Sequence, residues 1–367
     1  DFIDNSDDNI YRQLACGLTM ANILHGSANP IGGQNQVVKL RWGDSMQAMK
    51  MPAAPSGIKF ALGENVKRSN RSGFSTRYPG SRMGVEQIIR DRFIAAREYD
   101  EKFASFRAGN LSELPPRRDL ELEAIAEDIR KERWIHCHRY RQDEIMALLD
   151  LLDEFDITIG TLQHILEGYK VADRMLEHGA MASAFSDWWA YKFEVYDAIP
   201  DNGAIMHDVG IVVSYNSDAR ELARHLNTEA AKAMKYGGVP AEEALKFVTL
   251  NPAKQLRIDD RVGSIEPGKD ADLVVWSGPP LSTLTRCEQT WVDGRPMFSI
   301  ESEQELRKRD AEWRAFLVSQ VLAGRSETKS GGPEEITEEA RWLRYDEFCH
   351  GHNEQRHDNA SHRGHRH

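Results

Sequence analysis

Short apolar runs alternate with amphipathic stretches along most of the first 240 residues of the chain. Between residues 134 and 218, four apolar runs of strand length each end at a His or an Asp, and a helix-like stretch follows each of them. Further runs near residues 18, 37 and 57 bring the count to seven strand–helix units. Such alternation is typical of a (β/α)8 barrel, in which catalytic groups follow the C-terminal ends of strands. The pattern therefore predicts an α/β fold of the TIM-barrel type, with the eighth unit expected before residue 1.

Two regions depart from the alternation. Residues 70–133 have a Gly-, Ser- and Arg-rich start and two charged stretches with helical periodicity, which predict a helical insertion over the mouth or the flank of the barrel. Its charged face is read as a solvated surface, with a substrate lid as the alternative. Residues 256–300 contain turn signals and a hairpin with an Asp293-Gly294 turn. We therefore predict a barrel in residues 1–255, a small β-sandwich domain in 256–300, and a helix with a His-rich polar tail in 301–367.

Composition excludes several classes of protein. Lys and Arg number 47 against 58 Asp and Glu, and the resulting formal charge of −11 argues against a nucleic-acid surface. No apolar run approaches the 18 or so residues of a membrane-spanning helix. The four cysteines share no CxxC spacing and are read as isolated thiols. This usage slightly favours the cytoplasm, with the periplasm or secretion as alternatives if an N-terminal segment has been removed.

The strand ends carry the candidate chemistry. His136 and His138 are two apart on one strand, so both side chains point to the same face and could reach one centre. His164 and Asp218 end two later strands. A single buried His is more often a satisfied core residue, but two His and an Asp at three candidate strand ends are hard to explain in that way. The set predicts a metal-dependent hydrolase site.

Lys59 lies inside an apolar strand, where an ammonium group is costly unless it is paired or chemically changed. Two interpretations are open. Its carbamate could bridge metal ions, or its ammonium group could pair with Glu64 or another carboxylate, and the residues alone favour the ion pair. The Gly-rich stretch 25–34 leaves a strand at the end where a barrel keeps its site, and it is read as a tight turn.

The stretch Gly-Ser-Ile-Glu-Pro-Gly-Lys-Asp-Ala-Asp-Leu-Val at 263–274, preceded by Asn251-Pro252-Ala253, resembles the amidohydrolase superfamily, in its branch of imidazolonepropionase-like hydrolases and dipeptidases. The resemblance implies a barrel holding one or two divalent ions, with zinc expected first and manganese, nickel or iron as alternatives. It also implies ligand roles for His136 on strand 5, His164 on strand 6, Asp218 on strand 8 and Lys59 as the bridging lysine.

The implied reaction is hydrolysis of a C–N bond in a cyclic amide, an amide or a dipeptide. Asp218 would serve as acid and base, and His138 would help to polarise the carbonyl. The candidates for substrate contacts are Arg139, Tyr169, Trp188 and Lys192. We also expect a homo-oligomer.

The sequence departs from the family in one respect, because no HxH pair precedes the strand at 18–24. Either an upstream segment supplies strand 1 with this pair, or the chain is a non-catalytic amidohydrolase-like module that serves binding or assembly.

Overall fold

The computed structural model describes residues 3–67, 77–109, 114–188 and 191–327. Part of the predicted loop at 69–84, Trp189, Cys349 and the His-rich tail lie outside this range. The helices are α1 Asp8–Leu14, α2 Met46–Met49, α3 Glu64–Lys67, α4 Arg82–Arg107, α5 Leu120–Ile129, α6 Gln142–Glu154, α7 Ala172–His178, α8 Asn202–Val209, α9 Arg220–Ala223, α10 Leu226–Gly237, α11 Ala241–Lys246, α12 Leu250–Gln255 and α13 Ile300–Glu327.

Seven strands form one curled, open sheet in chain order, and three more form a second sheet. Strands β3 to β7 are parallel, whereas β1, β2 and β3 pair antiparallel. The fold is mixed α/β and half-barrel in form, in agreement with the predicted TIM type. The strands are β1 Met20–Ile23, β2 Ile31–Lys39, β3 Gly57–Ala61, β4 Trp134–His138, β5 Thr161–Gln163, β6 Met181–Ala184, β7 Val213–Tyr215, β8 Leu273–Trp276, β9 Cys287–Val292 and β10 Arg295–Ser299.

The count of seven strand–helix units was wrong at its beginning. Strands β1 and β2 form an antiparallel hairpin instead of two parallel units, with Met20 opposite Lys39 and Ile23 opposite Gln36. The Gly-rich stretch is accordingly only in part a turn, because β2 already begins at Ile31. A run of apolar residues indicates a strand but carries no information about its direction, which is set by pairing with distant residues.

Side chains alternate across the parallel strands and give the sheet two different faces. The outer face is apolar, and residues such as Phe60 and Cys137 pack there against the helices. The inner face is polar. The residues of this face form two rows of register partners across the strands. One row is Lys59, His136 and Thr161, and the next is His138, Gln163, Ser183 and Ser214. Alternation at period 2 thus sends the ionisable groups of each strand to the concave side.

The insertion forms the two predicted helices, α4 and α5, and lies on the flank of the sheet. Phe93 of α4 stacks on Phe60 of the outer face, with ring centroids 5.9 Å apart. At the beginning of α4, Arg82 pairs with Glu144 at 2.7 Å and with Glu64 at 2.9 Å. These contacts connect the insertion to α6 and to the C-terminal edge of the parallel strands.

The second sheet, in the order β10-β9-β8, packs on the β1–β2 hairpin. Their shared apolar cluster contains Leu14 and Val38 from the beginning of the chain together with Val292 and Phe298 from its later part. The predicted Asp-Gly hairpin joins β9 to β10, with positive φ angles at Asp293 and Gly294. The segment that forms β8 to β10 therefore folds against the N-terminal hairpin.

Helix α13 has large apolar side chains that are half exposed, among them Trp313 and Leu317. None of the helices in the described residues is both long and apolar enough to cross a membrane. Cys16, Cys137 and Cys287 are free thiols, as the spacing of the cysteines predicted.

Candidate metal centre

The C-terminal ends of β3 to β7 bring several of the predicted residues together. Lys59 and His136 are register partners on adjacent parallel strands. The rings of His138 and His164 meet edge to face, with centroids 5.0 Å apart. Asp218, which follows β7, has its Oδ1 3.9 Å from Nε2 of His164. Four strands thus contribute to one cluster on the concave face of the sheet.

Burial keeps the three imidazoles of this cluster uncharged at neutral pH. It lowers the pKa of His136 to about 3, with further lowering by the charges of Arg257 and Lys59. Burial likewise sets the pKa of His138 well below its usual value and lowers that of His164 to about 4, against the opposing charge of Asp218. Because only the neutral imidazole has a free lone pair, all three rings are in the form that binds a metal ion at neutral pH.

His164 is held from two sides. Its Nδ1 lies 2.9 Å from Oδ1 of Asn216, and its ring stacks on Phe185 with centroids 4.8 Å apart. Its φ angle of 57° lies in the left-handed region, which is unusual for a residue with a side chain. These constraints leave Nε2 on the side of Asp218.

A surface formed by a lysine and several aromatic rings lies next to the imidazoles. Nζ of Lys192 lies 4.2 Å from the ring centroid of Tyr140, and that ring meets His138 edge to face at 4.7 Å. Trp188 stacks on Phe185 at 4.2 Å and so extends the row of rings that begins at His164. Lys192 and Trp188 were predicted as substrate contacts, whereas Tyr140 and Phe185 were not singled out.

Two predicted substrate contacts lie elsewhere. The side chain of Arg139 is fully buried, and burial lowers its pKa to about 10 while the nearby Cys137 and Glu144 oppose this shift. Cys137 packs on the outer face of the sheet, and alternation along the strand gives Arg139 the same parity. The Tyr169 hydroxyl donates to the carbonyl of Asp197 at 3.0 Å. The charge of Arg139 still acts on His138 and lowers its pKa, and the roles of both residues stay predictions.

The environment of Lys59 bears on its two interpretations. Burial lowers its pKa, and the charge of Asp218 opposes this shift. Glu64, the carboxylate suggested as its partner, forms ion pairs with Lys67 and Arg82 at 2.9 Å each. A buried lysine with a lowered pKa is a neutral amine for a larger fraction of the time than an exposed lysine is. Only a neutral amine can form a carbamate.

Across the described ranges of the chain, no three His, Cys, Asp or Glu side chains converge closely enough to hold one ion. The individual donors nevertheless fit a divalent metal. Within the same ranges, Nδ1 of His136 and Nδ1 of His138 are buried and have no hydrogen-bond partner. A buried polar atom without a partner is costly, and coordination of a metal by His136 and a hydrogen bond from His138 to a bound substrate would satisfy these two atoms.

Comparison with known proteins gives consistent results. The profile of the Amidohydrolase family matches residues 111–300, just over half of the chain. An imidazolonepropionase of Picrophilus torridus is 42% identical over 67 residues, which are 18% of this chain and 17% of that protein. Amidohydrolase tasK of Hapsidospora irregularis is 33% identical over 303 residues, 77% of this chain. The chain spans only 30% of the length of tasK.

A solved structure supports the same relationship over more of the fold. The amidohydrolase of Thermotoga maritima MSB8 superposes with a TM-score of 0.73 at 33% identity, covering 81% of this chain and 76% of that one. The polar concave face, the strand-end histidines and these matches agree, and the chain belongs to the amidohydrolase family.

Proposed function

We propose that the protein is a metal-dependent amidohydrolase that cleaves a C–N bond. The observation that supports this most strongly is the set of buried, neutral imidazoles of His136, His138 and His164 beside Lys59 and Asp218 at the ends of parallel strands. Buried ionisable groups with strongly shifted pKa values in one concave site are typical of active sites. Lys59, His136, His164 and Asp218 would hold the metal.

A divalent ion in this position would supply Lewis acidity, which would lower the pKa of a water molecule to about 7. The Asp218 carboxylate is the base that takes a proton from the attacking water, and as an acid it then passes the proton to the leaving nitrogen. The side chain of Asp218 is 63% exposed, so water and substrate can reach it. His138, beside His164, would donate a hydrogen bond to the carbonyl oxygen as negative charge develops there.

The charged and aromatic surface around Lys192 suggests which chemical groups the substrate carries. Its ammonium group lies over the Tyr140 ring and 3.2 Å from Glu194, and its charge acts on both His138 and His164. A carboxylate on the substrate would be attracted to this group. The row of rings through Phe185 and Trp188 offers an apolar surface beside it. We therefore propose an amide, cyclic amide or dipeptide that carries a carboxylate.

Zinc content of the full chain, measured by elemental analysis, tests the proposal. The His164→Ala variant should lose about one equivalent of zinc relative to the native protein, because a site with one ligand fewer binds metal several kcal/mol more weakly. His225→Ala, at an exposed position, is the matched control. Zinc bound by the tail histidines is common to all three proteins and cancels in the comparison.

The catalytic role of Asp218 needs a second measurement. Asp218→Asn should retain zinc through the histidines but lose turnover of whichever cyclic amide, N-acyl amino acid or dipeptide the native protein cleaves. An unchanged rate would remove its role as acid and base. Equal zinc in the native and His164→Ala proteins would refute the metal centre and favour the alternative of a non-catalytic binding module.

A further inference from the structure

A chain of buried hydrogen bonds joins His164 to Gln255, the last residue of α12. Oγ of Ser214 donates to Oε1 of Gln255 at 2.7 Å and lies 3.0 Å from Oγ of Ser183. Nδ2 of Asn216 donates to the same Ser183 oxygen at 2.6 Å, and Oδ1 of Asn216 lies 2.9 Å from Nδ1 of His164. The chain crosses from β7 to β6 and ends at the residue that follows β5.

The direction of the first bond is fixed by the backbone. Nε2 of Gln255 donates to the carbonyl oxygens of Ala182 at 2.8 Å and Val212 at 3.1 Å. Carbonyl oxygens only accept, so the amide nitrogen must face them and the amide oxygen must face Ser214. An amide oxygen also only accepts. The single hydroxyl proton of Ser214 is therefore committed to Gln255.

The Asn216 amide is oriented in the same way. Nδ2 of Asn216 donates to Oγ of Ser183, which also lies 3.0 Å from Oγ of Ser214, and to the carbonyl oxygen of Ala184 at 3.4 Å. Because the carbonyl oxygen only accepts, the amide nitrogen faces it and Oδ1 of Asn216 faces His164. An oxygen that only accepts requires a proton on Nδ1 of the ring. Nε2, on the side of Asp218, is left with the lone pair.

We infer that Gln255, Ser214, Ser183 and Asn216 are positioning residues that fix His164 as its Nδ1–H tautomer. The opposite tautomer would need the Asn216 amide to turn over, and its Oδ1 would then face the carbonyl oxygen of Ala184. The Ser183 oxygen that holds the amide is itself held by Ser214 and Gln255, and these three side chains are each less than 5% exposed. The tautomer follows from the hydrogen bonds alone, whereas its consequence for metal binding rests on the proposed function.

Selective 15N labelling of histidine in the full chain, without added metal and at neutral pH, measures the tautomer directly. The His164 signals are those that disappear in a His164→Gln variant. We expect the proton on Nδ1 in the native protein. Ser214→Ala should allow Ser183 and Asn216 to reverse and should give a mixture of tautomers. Ser217→Ala is the matched control, since its hydroxyl is nearby but bonds only to the backbone around Ala219.

Zinc affinity provides the second readout. Loss of a partner that orients a ligand typically weakens metal binding roughly 10- to 100-fold, so Ser214→Ala should show a loss of this size. Ser217→Ala should bind as the native protein does, and Ser214→Thr, which retains the hydroxyl, should restore both the tautomer and the affinity. Rescue by threonine would separate the loss of the hydroxyl from a general disturbance of the fold.

The outcomes distinguish this inference from the proposed function. A proton on Nε2 of His164 in the native protein would overturn the inference, as would a Ser214→Ala protein with unchanged tautomer and unchanged zinc affinity. A proton on Nδ1 that becomes mixed in Ser214→Ala, in a protein that binds no zinc in any variant, would support the hydrogen-bond chain and refute the metal centre.

Discussion

Replacement of Lys39 by methionine should destabilise the protein more than loss of any surface ion pair. Lys39 is 1% exposed, and its Nζ contacts Asp270 at 2.8 Å, Asp272 at 3.1 Å and Asp293 at 2.5 Å. The three carboxylates belong to the segment that folds onto the β1–β2 hairpin. Removal of the cation leaves three carboxylates around an apolar side chain in a largely buried place, where Asp270 and Asp293 keep only their ion pairs with Arg261 and Arg41. Breaking a buried pair in this way costs about 3–5 kcal/mol.

Urea unfolding at several pH values provides the assay. Burial raises the pKa of Asp270 and Asp293, but hydrogen bonds from cations including Lys39 outweigh it, so both pKa values are lowered. A lowered carboxyl pKa contributes stability that is present above the unfolded pKa near 4 and is lost as pH falls through the folded value. The gap between native protein and Lys39→Met should therefore be widest at neutral pH and narrow below about pH 4.

An exposed pair supplies the control for this prediction. Arg295 and Asp44 are 2.7 Å apart, and their side chains are 50% and 31% exposed. Arg295→Met should cost less than about 1 kcal/mol. If Lys39→Met cost no more than this control at neutral pH, or if its effect grew towards acid, the account of a buried ionic junction would be wrong.

Three further predictions concern other buried positions. Lys59→Met should change the unfolding free energy by less than about 1 kcal/mol or raise it, since a desolvated amine is replaced by an apolar chain, while zinc binding weakens. Burial and the charge of Glu194 raise the pKa of Glu144 to about 7, and a raised carboxyl pKa means stability that falls as pH rises through the window from about 4.5 to 7. Glu144→Gln should therefore gain stability relative to the native protein across that window in urea titrations. At Gly63, with φ 87°, a Cβ would overlap a Glu194 oxygen, whereas at Gly43, also with φ 87°, it would meet nothing within 4 Å. Gly63→Ala should thus lower the unfolding free energy more than Gly43→Ala, which carries only the backbone strain of about 1 kcal/mol, and equal losses would show that the overlap is relieved.

The sequence predicted those features that depend on local periodicity. Spacing by two put His136 and His138 on one face of a strand, and the register confirms this arrangement. The same rule applied one residue further sends Arg139, whose side chain is fully buried, to the opposite face. The direction of β2 was not predictable, because its antiparallel pairing with β3 is a long-range choice that leaves no local pattern.

Contacts between distant segments account for the other omissions. Tyr140 lies directly after the His-x-His stretch, but its contact with Lys192 depends on a loop that returns some 50 residues later. Asn216 lies two residues before Asp218 and has no signal of its own in the sequence. Its contact with His164 joins residues 52 apart, and no spacing rule connects them. The division into domains and the roles of the site residues stay predictions that the variants above test.

Two lysines on adjacent strands show that residue type alone does not decide whether a buried side chain stabilises the fold or belongs to the candidate site. Lys39 and Lys59 are 1% and 3% exposed, and each lies in an apolar stretch of its strand. The hydrogen bonds and charges of three aspartates outweigh burial at Lys39 and raise its pKa, whereas burial lowers the pKa of Lys59 despite the opposing charge of Asp218. Lys39 thus stays charged and stabilises a junction. Lys59 is the more easily deprotonated amine, and it adjoins imidazoles that burial also keeps neutral. Because metal ligands and carbamates require unprotonated nitrogen, the balance between desolvation and nearby carboxylates, which no residue pattern encodes, separates the two roles.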